Sequence, residues 1–209
     1  MAENSGTSAS LFATCIVDQL FPQVGVSVVR VLRRQGVQVD FPSDQTCCGQ
    51  PLYNSGFNKP ARRLGERVLR SFSNSRYVVV PSGSCAAMMR VFYLDLFRDE
   101  PELLKLAQEL APKVYEFSQF LVRVLGVTDV GASFSGRVAY HEACHLLREL
   151  GVSDEPRALI QGVRGVELVE MREAEACCGF GGFFSVNFPD ISMAILDQKL
   201  RAIEATGAD

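Results

Sequence analysis

The stretch Tyr77-Val78-Val79-Val80-Pro81-Ser82-Gly83-Ser84-Cys85 joins a run of β-branched residues to a turn and a cysteine. Three consecutive valines bounded by proline and glycine indicate a buried β-strand. Two earlier strands are predicted, one in the apolar residues 11–14 and one in the alternating residues 37–41. Helical apolar spacing occupies residues 22–35 and 60–72 between them. This alternation predicts an α/β fold with a parallel sheet and right-handed crossovers.

A cysteine follows each of the three predicted strands. Cys15 follows the first strand, Cys47 and Cys48 follow the second, and Cys85 follows the third. The carboxyl ends of parallel strands lie on one edge of a sheet, where ligands collect in open α/β folds. We therefore expect these four thiols, although remote in sequence, to converge at one rim.

The cysteine pattern occurs twice in the chain. Cys47-Cys48-Gly49 and Cys177-Cys178-Gly179 stand 130 positions apart, and each pair follows a lone cysteine at nearly the same interval. Cys15 precedes Cys47 by 31 intervening residues, and Cys144 precedes Cys177 by 32. Six of the seven thiols thus fit one repeated template, which predicts two copies of a single cysteine-bearing unit.

The two copies are predicted to be Rossmann-like units with parallel sheets. We assign residues 1–130 to the first cysteine-rich unit plus a mostly helical linker region, and residues 131–209 to the second, with the boundary within Gly131–Gly136. The second copy repeats the scheme with predicted strands and helices at 137–140, 154–161, 166–169 and 188–205. It has no counterpart of the strand and cysteine at 77–85, so we expect the second unit to be incomplete at its C-terminal side.

Composition excludes several classes of partner. The 209 residues carry 21 basic and 24 acidic side chains, which is not the positive excess that nucleic acid or an anionic membrane would require. The first ten residues lack the basic start and apolar core of an export signal, and no apolar run reaches the ~20 residues of a membrane span. We expect a cytoplasmic protein, where an odd number of cysteines favours metal or redox chemistry over structural disulfides.

Sets of four thiolates hold either tetrahedral zinc or an iron-sulfur cluster. Structural zinc sites usually contain two local Cys-x2-Cys pairs, and the cysteine spacing in this sequence has none. This spacing therefore favours an iron-sulfur cluster over zinc. The alternatives that stay open are a zinc-stabilised binding module, a thiol-disulfide redox enzyme and plain core packing. The glycines after each pair allow close backbone approach to an anionic group, but no phosphate-loop or dinucleotide motif follows a strand.

The segment His141-Glu142-Ala143-Cys144-His145 matches the His-Glu-x-x-His pattern of zinc proteases. We reject that interpretation, because His141 is predicted to end a strand instead of lying inside a helix, and no third ligand is evident. We expect His141 or His145 either to replace the absent thiol of the second site or to donate hydrogen bonds to cluster sulfurs.

The motifs together resemble a known family. The cysteine arrangement is similar to the CCG cysteine-rich domain found in heterodisulfide reductase and in related iron-sulfur oxidoreductase subunits. Four motifs in order resemble the lactate utilization protein A family more specifically: Thr46-Cys47-Cys48-Gly49-Gln50-Pro51, Pro81-Ser82-Gly83-Ser84-Cys85, Tyr140-His141-Glu142-Ala143-Cys144-His145 and Cys177-Cys178-Gly179-Phe180-Gly181-Gly182.

This resemblance implies an electron-transferring subunit of a complex that oxidises L-lactate to pyruvate, working with partner subunits that include a second iron-sulfur protein. It implies no catalytic residue in this chain. The implied ligands of one cluster are Cys15, Cys47, Cys48 and Cys85, and those contributing to a second are Cys144, Cys177 and Cys178. Met88 stands where heterodisulfide reductase has a fifth thiol, which favours a conventional [4Fe-4S] cluster.

Overall fold

Two separate parallel sheets organise the chain in the computed structural model, which describes residues 6–209. The chain divides into two compact units, Met1–Leu125 and Gly126–Asp209, called unit 1 and unit 2 below. The predicted α/β class with parallel sheets is confirmed. The assignment of residues 1–130 and 131–209 as two copies of one cysteine-rich unit stays a prediction.

Unit 1 is built on four parallel strands. They are β1 (Ser8–Leu11), β2 (Gln38–Asp40), β3 (Val78–Val80) and β4 (Val114–Glu116), arranged in the order β2-β1-β3-β4. All three valines of β3 are fully buried, as expected for an inner strand covered on both faces. Strand β1 lies between β2 and β3, so the cysteine-bearing loops after these three strands leave the sheet side by side.

Helices connect these strands and cover the sheet. The two longest are α2 and α4, whose buried residues recur at helical spacing, including Val28 and Leu32 in α2 and Ala61 and Val68 in α4. The α-helices of unit 1 are α1 (Cys15–Leu20), α2 (Pro22–Arg34), α3 (Gln50–Asn54), α4 (Asn58–Ser71), α5 (Gly83–Ala87), α6 (Tyr93–Leu96), α7 (Pro101–Leu110) and α8 (Phe117–Gln119). Met88–Phe92 and Phe120–Val124 are π-helical, and Ala111–Lys113 forms a 3₁₀ turn.

Two sequence-based expectations for unit 1 need correction. The first strand ends at Leu11 instead of spanning residues 11–14, because the following residues already lead into α1. The linker region, predicted to be mostly helical, also contributes β4, which pairs with β3 at the edge of the sheet. Three residues between a 3₁₀ turn and a helix are too few to show a strand period in the sequence.

Unit 2 contains one pair of parallel strands and four α-helices. Strands β5 (Ser133–Ala139) and β6 (Arg164–Val169) pair with a register shift between Ser133 and Gly136. The helices are α9 (Cys144–Arg148), α10 (Asp154–Gln161), α11 (Phe183–Asn187) and α12 (Pro189–Glu204). The predicted elements at 137–140, 154–161, 166–169 and 188–205 all find counterparts here.

Among residues 6–209, no helix is both long enough and apolar enough to cross a bilayer. The prediction that no export signal is present concerns residues 1–10, of which residues 1–5 lie outside the described part of the chain.

The close packing of α4 against α6 makes a testable prediction about Gly65. A Cβ atom at Gly65 would lie 2.9 Å from Phe97 and 3.1 Å from Tyr93, two fully buried rings that cannot move aside. We expect Gly65→Ala to lower the free energy of unfolding by up to about 2 kcal/mol, because overpacking outweighs the gain in helix propensity of about 1 kcal/mol. Urea denaturation monitored by circular dichroism measures this.

Gly25→Ala is the matched control, because it also places alanine in a helix of unit 1. Its Cβ would meet only the Val17 side chain, at 3.3 Å, and the gain in helix propensity of about 1 kcal/mol offsets that contact. Equal losses of stability in the two variants would contradict the packing argument.

Candidate metal centre

Cys15 lies at the first position of α1, directly after β1. The Thr14 hydroxyl caps this helix by accepting a hydrogen bond from the Val17 amide at 3.2 Å. Thr14 is buried, whereas the Cys15 side chain is exposed. The cap fixes where α1 begins and thereby places the Cys15 sulfur at the rim of the sheet.

Cys47 and Cys48 lie in the loop between β2 and α3. The Gln45 side chain anchors this loop to the end of β1: its Oε1 accepts from the Ala13 amide at 2.8 Å, and its Nε2 donates to the Leu11 carbonyl at 3.2 Å. Gln45 was not predicted from the sequence, because a glutamine that bridges two strand ends leaves no periodic signal.

Gly49 turns the backbone sharply behind the cysteine pair. Its φ of +81° is in the left-handed region, and its amide donates to the Cys47 sulfur at 3.5 Å. An added Cβ would lie 3.2 Å from the Ala61 carbonyl oxygen in α4. Both the φ value and the lack of space require glycine here.

Cys85 lies in the first turn of α5, and the Ser82 hydroxyl accepts a hydrogen bond from the Cys85 amide at 3.5 Å. A second support is Tyr93, a fully buried residue whose hydroxyl donates to the Cys48 carbonyl at 2.8 Å. Tyr93 was also not predicted, since it is 45 residues from Cys48 and reaches it only in the folded chain.

The fold brings the four cysteine sulfurs of unit 1 into one group. The Sγ atoms of Cys15 and Cys47 are 3.8 Å apart, and those of Cys48 and Cys85 are 3.3 Å apart. Cys47 and Cys48 are adjacent in the chain, so the two pairs lie side by side. The four thiols predicted to meet at the rim therefore do meet in this structure.

The four sulfurs alternate in their affinity for protons. The neighbouring Cys48 side chain, helped by the Gly49 amide and Cys15, lowers the pKa of Cys47 from 9.0 to about 6 despite its partial burial. A hydrogen bond from Cys48 also lowers the pKa of Cys85. The pKa of Cys48 is raised, first by the neighbouring Cys47 and Cys85 side chains, and burial raises that of Cys15 to about 11. Lowered and raised pKa values thus alternate along the four thiols.

Within residues 6–209, no three histidine, cysteine or carboxylate side chains are already arranged as ligands around one metal ion. The four sulfurs form instead two contacting pairs, Cys15 with Cys47 and Cys48 with Cys85. Thiolates are soft donors that suit zinc, copper(I) and iron-sulfur clusters, so the donor set itself fits a sulfur-rich metal centre.

The cysteines of unit 2 repeat part of this local geometry. Cys144 begins α9, as Cys15 begins α1, and Gly179 has the same φ of +81° as Gly49. The Gly179 amide donates to the Cys177 sulfur at 3.3 Å, and an added Cβ would collide with the Ser192 carbonyl in α12. In the described part of unit 2, however, Cys144, Cys177 and Cys178 make no sulfur-sulfur contact.

The histidine motif of unit 2 does not form a protease site. His141 precedes α9 and lies outside it, and its Nδ1 is 3.1 Å from the Ala174 carbonyl. Glu142 is buried and binds Ser153 and Arg157, which together lower the pKa of its carboxyl group. A carboxylate held this way is not a free base, so the rejection of the His-Glu-x-x-His interpretation agrees with the structure.

A buried lysine supports the second cysteine pair. Lys199 in α12 is 4% exposed, and its Nζ donates to the carbonyls of Glu173 and Ala174, each at 3.0 Å. The apolar residue Ile191 of this helix is exposed, while the polar Lys199 and Ser192 are buried. Apolar spacing alone therefore could not identify Lys199 as a supporting residue.

The comparisons with known proteins agree on the class to which these units belong. The sequence matches the family described as "CCG: Cysteine-rich domain" over residues 9–90 and again over residues 138–209. Each matched segment contains one cysteine pair and the lone cysteine before it.

Curated proteins with similar sequences identify a more specific family within this class. The chain is 50% identical over 200 residues to "Lactate utilization protein A" of Geobacillus kaustophilus, covering 96% of this chain and 83% of the relative. It is 48% identical to the protein of the same name from Oceanobacillus iheyensis, covering 96% and 82% of the two chains. "Lactate utilization protein A 2" of Bacillus cereus is 43% identical over 96% of this chain and 83% of its own length. The chain belongs to the lactate utilization protein A family.

The lowered pKa of Cys47 and the raised pKa of Cys15 predict the alkylation behaviour of the metal-free protein. The initial rate of Cys47 alkylation by iodoacetamide should reach half its maximum near pH 6, because only the thiolate reacts and it is formed above that pH. Cys15, with its pKa about 11, should still be gaining reactivity at pH 9. Mass spectrometry of single-hit reactions measures both profiles. In urea the Cys47 profile should return to that of an ordinary thiol, and a folded-state midpoint above pH 8 would contradict the structure.

The hydrogen bond from Tyr93 to the Cys48 carbonyl predicts that loss of the Tyr93 hydroxyl destabilises the protein. Tyr93→Phe leaves the buried Cys48 carbonyl without its donor, so we expect the free energy of unfolding to fall by about 1–3 kcal/mol. Tyr53→Phe is the matched control, because that hydroxyl hydrogen-bonds Asp95 in an exposed setting and its loss should cost about 0.5 kcal/mol or less. Chemical denaturation measures both, and similar values for the two variants would contradict the assigned role of Tyr93.

Proposed function

We propose that this chain is an iron-sulfur electron-transfer subunit of a complex that oxidises L-lactate to pyruvate. The observation that carries the proposal is the meeting of four cysteine sulfurs in unit 1 as two contacting pairs, at 3.8 and 3.3 Å. The names of the relatives supply the metabolic context, since they are called lactate utilization proteins. The chain would work with partner subunits, one of them a second iron-sulfur protein, in the cytoplasm.

The donor set of unit 1 fits an iron-sulfur cluster. Cys15, Cys47, Cys48 and Cys85 would hold it, and the lowered pKa values of Cys47 and Cys85 favour the thiolates that ligation needs. When bound, a [4Fe-4S] cluster supplies one-electron transfer at a potential set by its hydrogen bonds and solvent exposure.

The surrounding residues stabilise negative charge on sulfur and set how far water reaches the site. The Gly49 amide points at the Cys47 sulfur, a contact that stabilises negative charge on sulfur. Burial of Cys48 and Cys85 excludes water from the inner side, while the exposed Cys15 leaves one side open to a partner protein. The site therefore combines a dry interior with an accessible edge, as electron exchange between proteins requires.

We propose a second centre in unit 2, to which Cys144, Cys177 and Cys178 contribute. The supporting observation is the repeated Gly179 geometry and its amide contact to the Cys177 sulfur at 3.3 Å. A histidine completes the donor set in this proposal. His141 is the better placed of the two, because its Nδ1 contact to the Ala174 carbonyl leaves Nε2 to act as the ligand, the usual arrangement of a ligating histidine.

Anaerobic purification tests the proposal. The protein should be brown, with visible charge-transfer absorbance and with iron and acid-labile sulfide present in similar amounts. Cys85→Ser should remove about four irons per chain, the content of one cubane cluster. A colourless protein that contains zinc would establish a zinc-stabilised module instead, and a colourless metal-free protein would favour a thiol-disulfide enzyme.

Met88→Leu is the matched control for this experiment, because Met88 is buried, lies three residues after Cys85 and stands where the fifth thiol of related clusters would be. It should keep the full iron content. In the complex purified with its partner subunits, L-lactate should bleach the visible absorbance while D-lactate should not. Full iron retention in Cys85→Ser would contradict the assignment of unit 1.

A further inference from the structure

The four sulfurs of unit 1 form two pairs that differ in their access to solvent. We call Cys15 and Cys47 the outer pair and Cys48 and Cys85 the inner pair. The outer pair joins an exposed side chain to a half-buried one. The inner pair is closer, at 3.3 against 3.8 Å, but its members are only 1% and 7% exposed. Proximity favours the inner pair for disulfide formation, whereas accessibility favours the outer pair.

The contacts around each pair explain this difference. The hydroxyl of the fully buried Tyr93 donates a hydrogen bond to the Cys48 carbonyl. Cys85 lies in the first turn of α5, where its amide donates to the Ser82 hydroxyl. Cys15 instead begins a helix at the surface, and the half-buried Cys47 lies beside it in the loop before Gly49. A reagent the size of a tripeptide disulfide can therefore reach the outer sulfurs and not the inner ones.

We propose that Cys15 and Cys47 form a reversible disulfide when the metal-free protein meets a low-molecular-weight disulfide such as oxidised glutathione, while the inner pair stays reduced. Because two of the four thiols are then bonded to each other, the site cannot take up a metal centre until the disulfide is reduced. The outer pair thus acts as a redox-sensitive modification site that controls loading. The pairing is independent of the proposed function, whereas the control of loading rests on it.

The reaction proceeds by two thiol-disulfide exchanges. The Cys47 thiolate attacks one sulfur of oxidised glutathione, the bond between the two glutathione sulfurs breaks, and one glutathione thiolate leaves. The Cys15 sulfur then attacks the Cys47 sulfur of the mixed disulfide, releases the second glutathione, and passes its proton to a glutathione thiolate. The two cysteines together lose two electrons, and one molecule of oxidised glutathione is reduced to two molecules of glutathione.

The pairing is tested on the full-length metal-free protein. It is incubated with oxidised glutathione, free thiols are blocked with one alkylating reagent, and the unfolded, reduced protein is labelled with a second before peptide mass spectrometry. We expect a Cys15–Cys47 disulfide in most chains, with Cys48 and Cys85 recovered as free thiols. A Cys48–Cys85 or Cys47–Cys48 disulfide, or no disulfide within unit 1, would overturn the proposal.

Two variants identify the order of the steps. In Cys15→Ser the second exchange has no attacking thiol, so Cys47 should retain its glutathione as a stable mixed disulfide. Cys144→Ser is the matched control, because Cys144 is likewise exposed at the start of a helix, and it should leave formation of the Cys15–Cys47 disulfide unchanged. Equal glutathione retention at Cys47 in both variants would show that Cys15 is not its partner.

The consequence for loading is measured separately. Oxidised and dithiothreitol-treated samples are reconstituted anaerobically with iron and sulfide, and the oxidised sample is expected to bind about four irons per chain fewer. If the disulfide maps as expected but neither sample binds iron, the pairing stands and the proposed iron-sulfur function fails. If both samples bind equal iron, the control of loading is wrong.

Discussion

The parallel pairing of β1 with both β2 and β3 is the constraint on which the grouping of the four thiols of unit 1 depends. Backbone hydrogen bonds from Ser10 to Tyr77 at 2.9 Å and from Phe12 to Val79 at 3.0 Å fix the register between the first and third strands. Because all three strands run in the same direction, their following loops leave from one edge. Residues 15, 47, 48 and 85 meet there only because the sheet aligns the segments before them.

Because Cys47 and Cys48 are adjacent in the chain, the four thiols differ in their exposure to solvent. Cys47 contacts the exposed Cys15, while Cys48, the next residue along the chain, contacts the buried Cys85. Left-handed Gly49 makes this division possible, since the turn points the backbone amide back at the Cys47 sulfur and packs against α4. The same division explains why burial and hydrogen bonding give the four thiols different pKa values.

Both units contain a left-handed glycine after the cysteine pair, but different residues hold the loop in place. Gly49 and Gly179 have the same φ and the same amide contact to sulfur. In unit 1 the loop is tied to the sheet by Gln45 and to the core by Tyr93, whereas in unit 2 the buried Lys199 holds the carbonyls that precede the cysteine pair. The same contact between a glycine amide and a cysteine sulfur thus lies in two different environments.

The sequence alone determined the α/β class and the convergence of the four thiols of unit 1, because strand periodicity and the position of cysteines after strands are local features of the chain. It did not reveal strand β4, which is too short to show a period, or the roles of Gln45, Tyr93 and Lys199. Nor could it separate an exposed sulfur pair from a buried one. Those features are decided by contacts between residues up to 45 positions apart, which exist only once the chain has folded.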